Sequence, residues 1–142
     1  MNTSSEFVEG WLQAVNSNDL EAVISFYKED AELLGTTEDS IFIGHEEIRI
    51  YFSTFLKLKP NGKLVSIVEH DLGISNMHTE FHSYKRMAIV NGTYDFQLLK
   101  YGESTTVPAR FTFVLQRVET QWKIHTHHSS KKPNLYSRVF DD

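Results

Sequence analysis

The densest run of side chains able to do chemistry is WKIHTHHSSKKP, where His125, His127 and His128 are followed by Ser129 and Ser130. Imidazoles this close together could ligate a metal or move a proton near neutral pH. A serine beside a histidine also raises nucleophilic catalysis. Spacing limits each idea. Side chains alternate along a strand, so residues two apart share a face and adjacent residues do not. A regular strand puts His125 and His127 on one side and His128 on the other, and a single zinc is not offered three adjacent ligands. The chain has no cysteine, which excludes disulfides, thiolate zinc sites and cysteine nucleophiles. Neither a metal nor a cofactor is expected. No carboxylate is placed to orient a base toward Ser129, and no glycine-rich phosphate loop is present.

The elements that would position these residues follow from periodicity. Thr3-x-x-Glu6 reads as a capping box, and Phe7, Val8, Trp11, Leu12 and Val15 follow at helical spacing. Asp19 can cap a second helix burying Leu20, Val23, Ile24 and Tyr27. Ala31 to Leu34 is a short extended piece and Thr36 to Ser40 a polar loop. Gly44-His45-Glu46-Glu47 opens a third helix carrying Ile48, Tyr51, Phe52 and Phe55, with acidic residues in its first turn. After the Pro60-Asn61-Gly62 turn the chain reads as strands: 63–71, 83–99, 105–117 and 121–129. Asn91-Gly92 reads as a glycine bend inside a long strand. Helices first and strands after give one α+β domain over residues 1–142, an antiparallel sheet covered by N-terminal helices.

Facing residues can be assigned from the turns. Pairing Arg117 with Trp122 around Val118 to Gln121 sets Leu115 opposite Ile124, Phe113 opposite Thr126 and Phe111 opposite His128. The turn at Tyr101-Gly102 sets Gly92 opposite Phe111, with Tyr94, Phe96 and Leu98 on the same side. This aromatic face is expected to be concave and helix-covered. A pocket lined by Trp11, Tyr51, Tyr94, Phe113, Trp122, Thr126 and His128 is therefore expected, with His128 as the candidate base or ligand-orienting group. The opposite face carries Arg110, Thr112, Val114, His125 and His127, a mixture suited to an interface with a second copy of the chain.

Composition narrows the function. The 142 residues carry a formal net charge of -5, and aromatic residues make up 13%. No basic stripe is present, so nucleic acid and anionic membrane surfaces are not expected partners. With no leader-like start in MNTSSEFVEGW and no apolar run near the ~18 residues of a membrane span, a cytoplasmic protein is expected.

The segments GTYDF, ARFTFVLQR and WKIHTHHSSKKP, together with NDLEAVISFYKEDAELLGT and GHEEIRIYFSTFL, resemble the nuclear transport factor 2-like (cystatin-like) superfamily. Within it they are most similar to SnoaL-like bacterial relatives of the calcium/calmodulin-dependent kinase II association domain. The resemblance spans nearly the whole chain. It implies a curved sheet forming a cone closed by helices, self-association through the outer sheet face as dimers or larger rings, and a small-molecule pocket within each cone. No phosphotransfer is implied, because the kinase part is absent. Ketosteroid isomerases, polyketide cyclases and dehydratases share the superfamily. The isomerase tyrosine and aspartate positions align with Trp11 and Gly35, so that chemistry is not carried over. Phe113 stands where the animal hub has a pocket arginine, so an anionic ligand is not required there. The function expected is a self-associating, non-catalytic domain with a pocket for a small hydrophobic or polar ligand. The alternative is an isomerase, cyclase or dehydratase acting on a bulky hydrophobic substrate through His128.

Overall fold

The computed structural model describes residues 3–74 and 86–133. Helix α1 spans Ser4–Asn16. The Thr3 side chain accepts from the Glu6 amide at 3.0 Å, meeting one of the four amides that a helix start leaves without a partner. Its apolar stripe, Phe7, Val8, Trp11, Leu12 and Val15, is buried. Helix α2, Leu20–Ile24, is capped by Asp19, whose side chain accepts from Ala22 N at 3.1 Å. It ends earlier than expected. Tyr27 is not its last buried residue but the first of strand β1, Tyr27–Leu34. Strand β2, Ile41–Ile43, leads into α3, Gly44–Phe55, and a short 3-10 turn over Leu56–Leu58. Four long strands follow: β3 Asn61–Ile74, β4 Arg86–Lys100, β5 Glu103–Val118 and β6 Gln121–Lys131. His78 and His82 lie outside the described residues.

The strands form one open six-stranded sheet in the order β2-β1-β6-β5-β4-β3. It is antiparallel except where β1 runs parallel to β6. The sheet curves around α1 and α3, and the fold is α+β as expected. Gly92 lies inside β4 opposite Phe111. A side chain at Gly92 would fall 2.4 Å from the Ser66 carbonyl oxygen and 2.8 Å from the Phe111 ring, so the sheet passes too closely there for any Cβ.

Register decides which face each residue occupies. Arg117 pairs with Trp122 and Leu115 with Ile124, as the turn geometry predicts. The next pair is Val114 with Thr126, so His125 is an extra residue in β6. Strand β1 breaks its pairing at the same level, between Tyr27 opposite Ile124 and Glu32 opposite Thr126. A bulge of one residue reverses the alternation beyond it. His127 therefore faces into the cone, opposite Phe113 and beside Leu33. His128 and Thr126 face outward.

Candidate functional site

The bulge assembles a polar chain inside an otherwise aromatic core. Trp11 Nε1 donates to the Tyr27 hydroxyl at 3.2 Å. The Tyr27 hydroxyl lies 2.8 Å from His127 Nδ1, and His127 Nε2 lies 3.2 Å from the Tyr94 hydroxyl. Tyr94 donates to Ser129 Oγ at 2.6 Å, and Ser129 Oγ is 2.5 Å from Thr36 Oγ1. The direction is set at the Tyr94 end, because a phenol has one proton and Tyr94 gives it to Ser129. Toward His127 the Tyr94 oxygen can then only accept, so neutral His127 carries its proton on Nε2, and Nδ1 accepts from the Tyr27 hydroxyl, which itself accepts from Trp11. Ser129 and Thr36 share the last hydrogen bond, in which either oxygen can donate.

Electrostatics agree with this neutral arrangement. Burial, with a smaller contribution from neighbouring His128, lowers the His127 pKa to about 3. The Tyr94 and Tyr27 phenols are pushed up, again chiefly by burial. Every member of the chain is uncharged near neutral pH. The rings leave little space: Trp11 stacks on Tyr94 at 5.9 Å, and Phe113 meets His127 edge-on at 4.4 Å. The cavity touching Trp11, Tyr51, Tyr94, His127 and Ser129 is about 10 Å³, room for at most about one water.

A larger cleft of about 520 Å³ lies between the end of α3 with its 3-10 turn and strands β4 and β5. Phe55 and Leu58 form one wall, and Phe96, Leu98, Val107 and Ala109 the other. Thr36, Thr37 and Glu38 lie at its edge with Lys57, Lys100 and Lys131. Thr36 also borders the small inner cavity, so it joins the buried chain to the cleft.

Of the residues expected to line one pocket, Trp11, Tyr51, Tyr94 and Phe113 do meet in the core. The other three do not join them. Trp122 is buried at the opposite end of the cone, beside Phe7 and Phe26, with the Arg117 guanidinium 5.5 Å from its ring. Thr126 and His128 are turned to the outer face by the bulge, and the same reversal removes His127 from the expected interface set. Arg110, Thr112, Val114 and His125 are on that outer face as expected, with His128 in place of His127. His45, expected at the surface, is half-buried with Nε2 2.6 Å from the Tyr27 carbonyl oxygen. Tyr27, Thr36, His127 and Ser129 were the site residues not found from sequence. The one available signal was the repeated His-x-Ser spacing, which puts either His127 with Ser129 or His128 with Ser130 on a common face. No three His, Asp or Glu side chains among the described residues converge to hold a metal.

A SnoaL-like domain profile matches residues 5–134. The chain belongs to the SnoaL-like domain family. Solved structures share the fold. A candidate calcium/calmodulin dependent protein kinase II association domain from Xanthomonas campestris superposes with TM-score 0.78 at 27% identity, over 92% of this chain and 86% of that one. An NTF2-like protein of unknown function from Pseudomonas putida KT2440 gives 0.73 at 18% identity, over 94% and 87%. A ketosteroid isomerase-like protein from Erwinia carotovora atroseptica SCRI1043 gives 0.58 at 19% identity, over 91% and 94%. No curated protein matches the sequence. In this SnoaL-like domain Gly35 follows directly after β1. The Tyr51 ring is packed against it, and a Cβ at Gly35 would lie 2.2 Å from that ring. No longer side chain fits there without displacing Tyr51. Among the described residues, no helix is long and apolar enough to cross a membrane.

Proposed function

We propose that this SnoaL-like domain is a non-catalytic, self-associating module that binds a small molecule in the cleft between the end of α3 and the sheet. The observation that carries the reading is the state of His127. Both ring nitrogens already have partners, burial holds the imidazole neutral, and the space around it admits no substrate. A general base must reach the proton it takes and have a pKa near the working pH; His127 does neither. His128, the other candidate, is exposed on the outer face and away from any enclosed cavity. The cleft has the size and apolar character usual for small-ligand sites.

Self-association is supported by the composition of the outer sheet face and by the resemblance to a neighbour described as an association domain. Light scattering at micromolar protein is expected to give at least twice the chain mass, and a monomer mass overturns self-association. Turnover of a small carbonyl substrate that vanishes in His127→Gln overturns the non-catalytic reading.

A further inference from the structure

The cleft is electrostatically unlike the rest of the molecule. The chain is net acidic, at -5. Yet the cleft's edge gathers three lysines, Lys57, Lys100 and Lys131, against one carboxylate, Glu38. The lysines come from three separate elements: the 3-10 turn after α3, the end of β4 and the end of β6. No carboxylate of the described residues lies within 4.0 Å of any of their ammonium groups. Glu103 is the cross-strand neighbour of Lys100 but makes no ion pair with it. The Lys100 ammonium instead lies 5.6 Å from the Tyr101 ring. Behind this rim the walls are apolar.

Thr36 lines the cleft beside its hydrogen bond with Ser129, in which either oxygen can donate. Its hydroxyl can serve a ligand as donor or acceptor. The lysines decide between the two: they favour an anionic acceptor, to which Thr36 can add a donated hydrogen bond.

We infer that the cleft takes a free amphipathic carboxylate, its hydrocarbon part against Phe55, Leu58, Phe96 and Leu98 and its carboxylate at Lys131 beside Thr36, with Lys57 and Lys100 adding positive potential along the rest of the lining. This rests on the reading of the cleft as the ligand site and adds the class of ligand. An arginine inside the cone is not needed, because the charge is supplied at the rim. The lysines are exposed, so each contact stays hydrated and salt-sensitive. Discrimination by headgroup is then about tenfold, with the hydrocarbon providing most of the affinity.

Calorimetric titration of the full chain with decanoate, decanol and decyltrimethylammonium, each kept below micelle formation, tests this at low and high salt. Decanoate is expected to bind about tenfold more tightly than decanol at low salt, with the gap closing at high salt, and the cation least. The double variant Lys57→Gln, Lys131→Gln is expected to erase the preference for decanoate while leaving decanol unchanged. Thr36→Val is expected to weaken decanoate more than the cation. Circular dichroism melts check that each variant is folded. Equal binding of decanoate and decanol, or a preference that survives the double lysine change, overturns the carboxylate inference and leaves the cleft as a ligand site. Absence of binding by all three probes, or binding undiminished when Leu98→Trp fills the cleft, overturns the ligand site and the inference together.

Discussion

Ser129 sets the tautomer of a histidine with which it shares no hydrogen bond. It takes the Tyr94 proton, so Tyr94 accepts from Nε2–H of His127, and Nδ1 accepts from Tyr27, which accepts from Trp11. Keeping His127 neutral has a consequence for stability. Its folded pKa of about 3 lies below the unfolded value of ~6.5. Between those values the unfolded chain binds a proton that the folded chain does not, so stability rises with pH across that window and is complete above it. Between pH 7 and pH 5 the loss due to His127 is about 2 kcal/mol. Denaturant midpoints at the two pH values are expected to show His127→Gln losing less stability on acidification than the parent, by that amount. Equal losses would mean that water reaches the imidazole. Phe113 is fully buried between Trp11 and His127. Phe113→Ala is expected to cost about 3–5 kcal/mol in the same measurement, and a cost below 1 kcal/mol would show the core to be loosely filled there.

At the scale of elements, the consequential feature is the one-residue bulge at His125. Counting outward from the Val118–Gln121 turn gives the correct pairs as far as Leu115 opposite Ile124. One-to-one counting past that point then exchanges His127 with His128. Nothing local in IHTHHSS marks the extra residue, because the bulge coincides with a break in β1, a strand some hundred residues earlier in the chain. Tyr27 reads as helical for a related reason: it continues the spacing of Val23 and Ile24, and only pairing with β6 draws it into a strand. Local signals were legible where the physics is local. The Thr3 and Asp19 caps, the stripe of α1 and the place of Gly92 inside a long strand all stand as expected. Gly92→Ala tests the close approach there. Its Cβ meets backbone on one side and the Phe111 ring on the other, so a loss of about 1–3 kcal/mol is expected in denaturant unfolding. An unchanged midpoint would show that the two strands can separate there without cost.

For the whole molecule, the question is what covers the outer face of the sheet. Two rows cross all six strands on that side. One runs Ile41, Leu34, His128, Thr112, Asn91, Val68, and the next Ile43, Glu32, Thr126, Val114, Ile89, His70. Ile41, Ile43 and Val68 are more than half exposed, while the three helices lie on the other side. Polar and apolar residues are mixed along both rows, with His128, Thr112 and Asn91 together in the first and Val114 and Ile89 together in the second. Such a mixture is too apolar to be a typical solvated face and too polar to be a core, which is the character of a subunit interface with hydrogen-bonding groups among its hydrophobic contacts. Val114 lies near the middle of the second row, between Thr126 and Ile89. A carboxylate there would be buried without a partner in a dimer but solvated in a monomer. Val114→Asp is therefore expected to lower the mass measured by light scattering from dimer to monomer at micromolar protein, while the monomer keeps its far-ultraviolet circular dichroism. Gln13→Asp, exposed on α1 on the other side of the sheet, serves as the charge control and is expected to leave the mass unchanged. A Val114→Asp protein that stays dimeric would place the interface elsewhere on the molecule. Loss of folded signal together with dimer mass would instead mean that the two chains fold only as a pair, as obligate interfaces burying more than ~2,000 Å² often require.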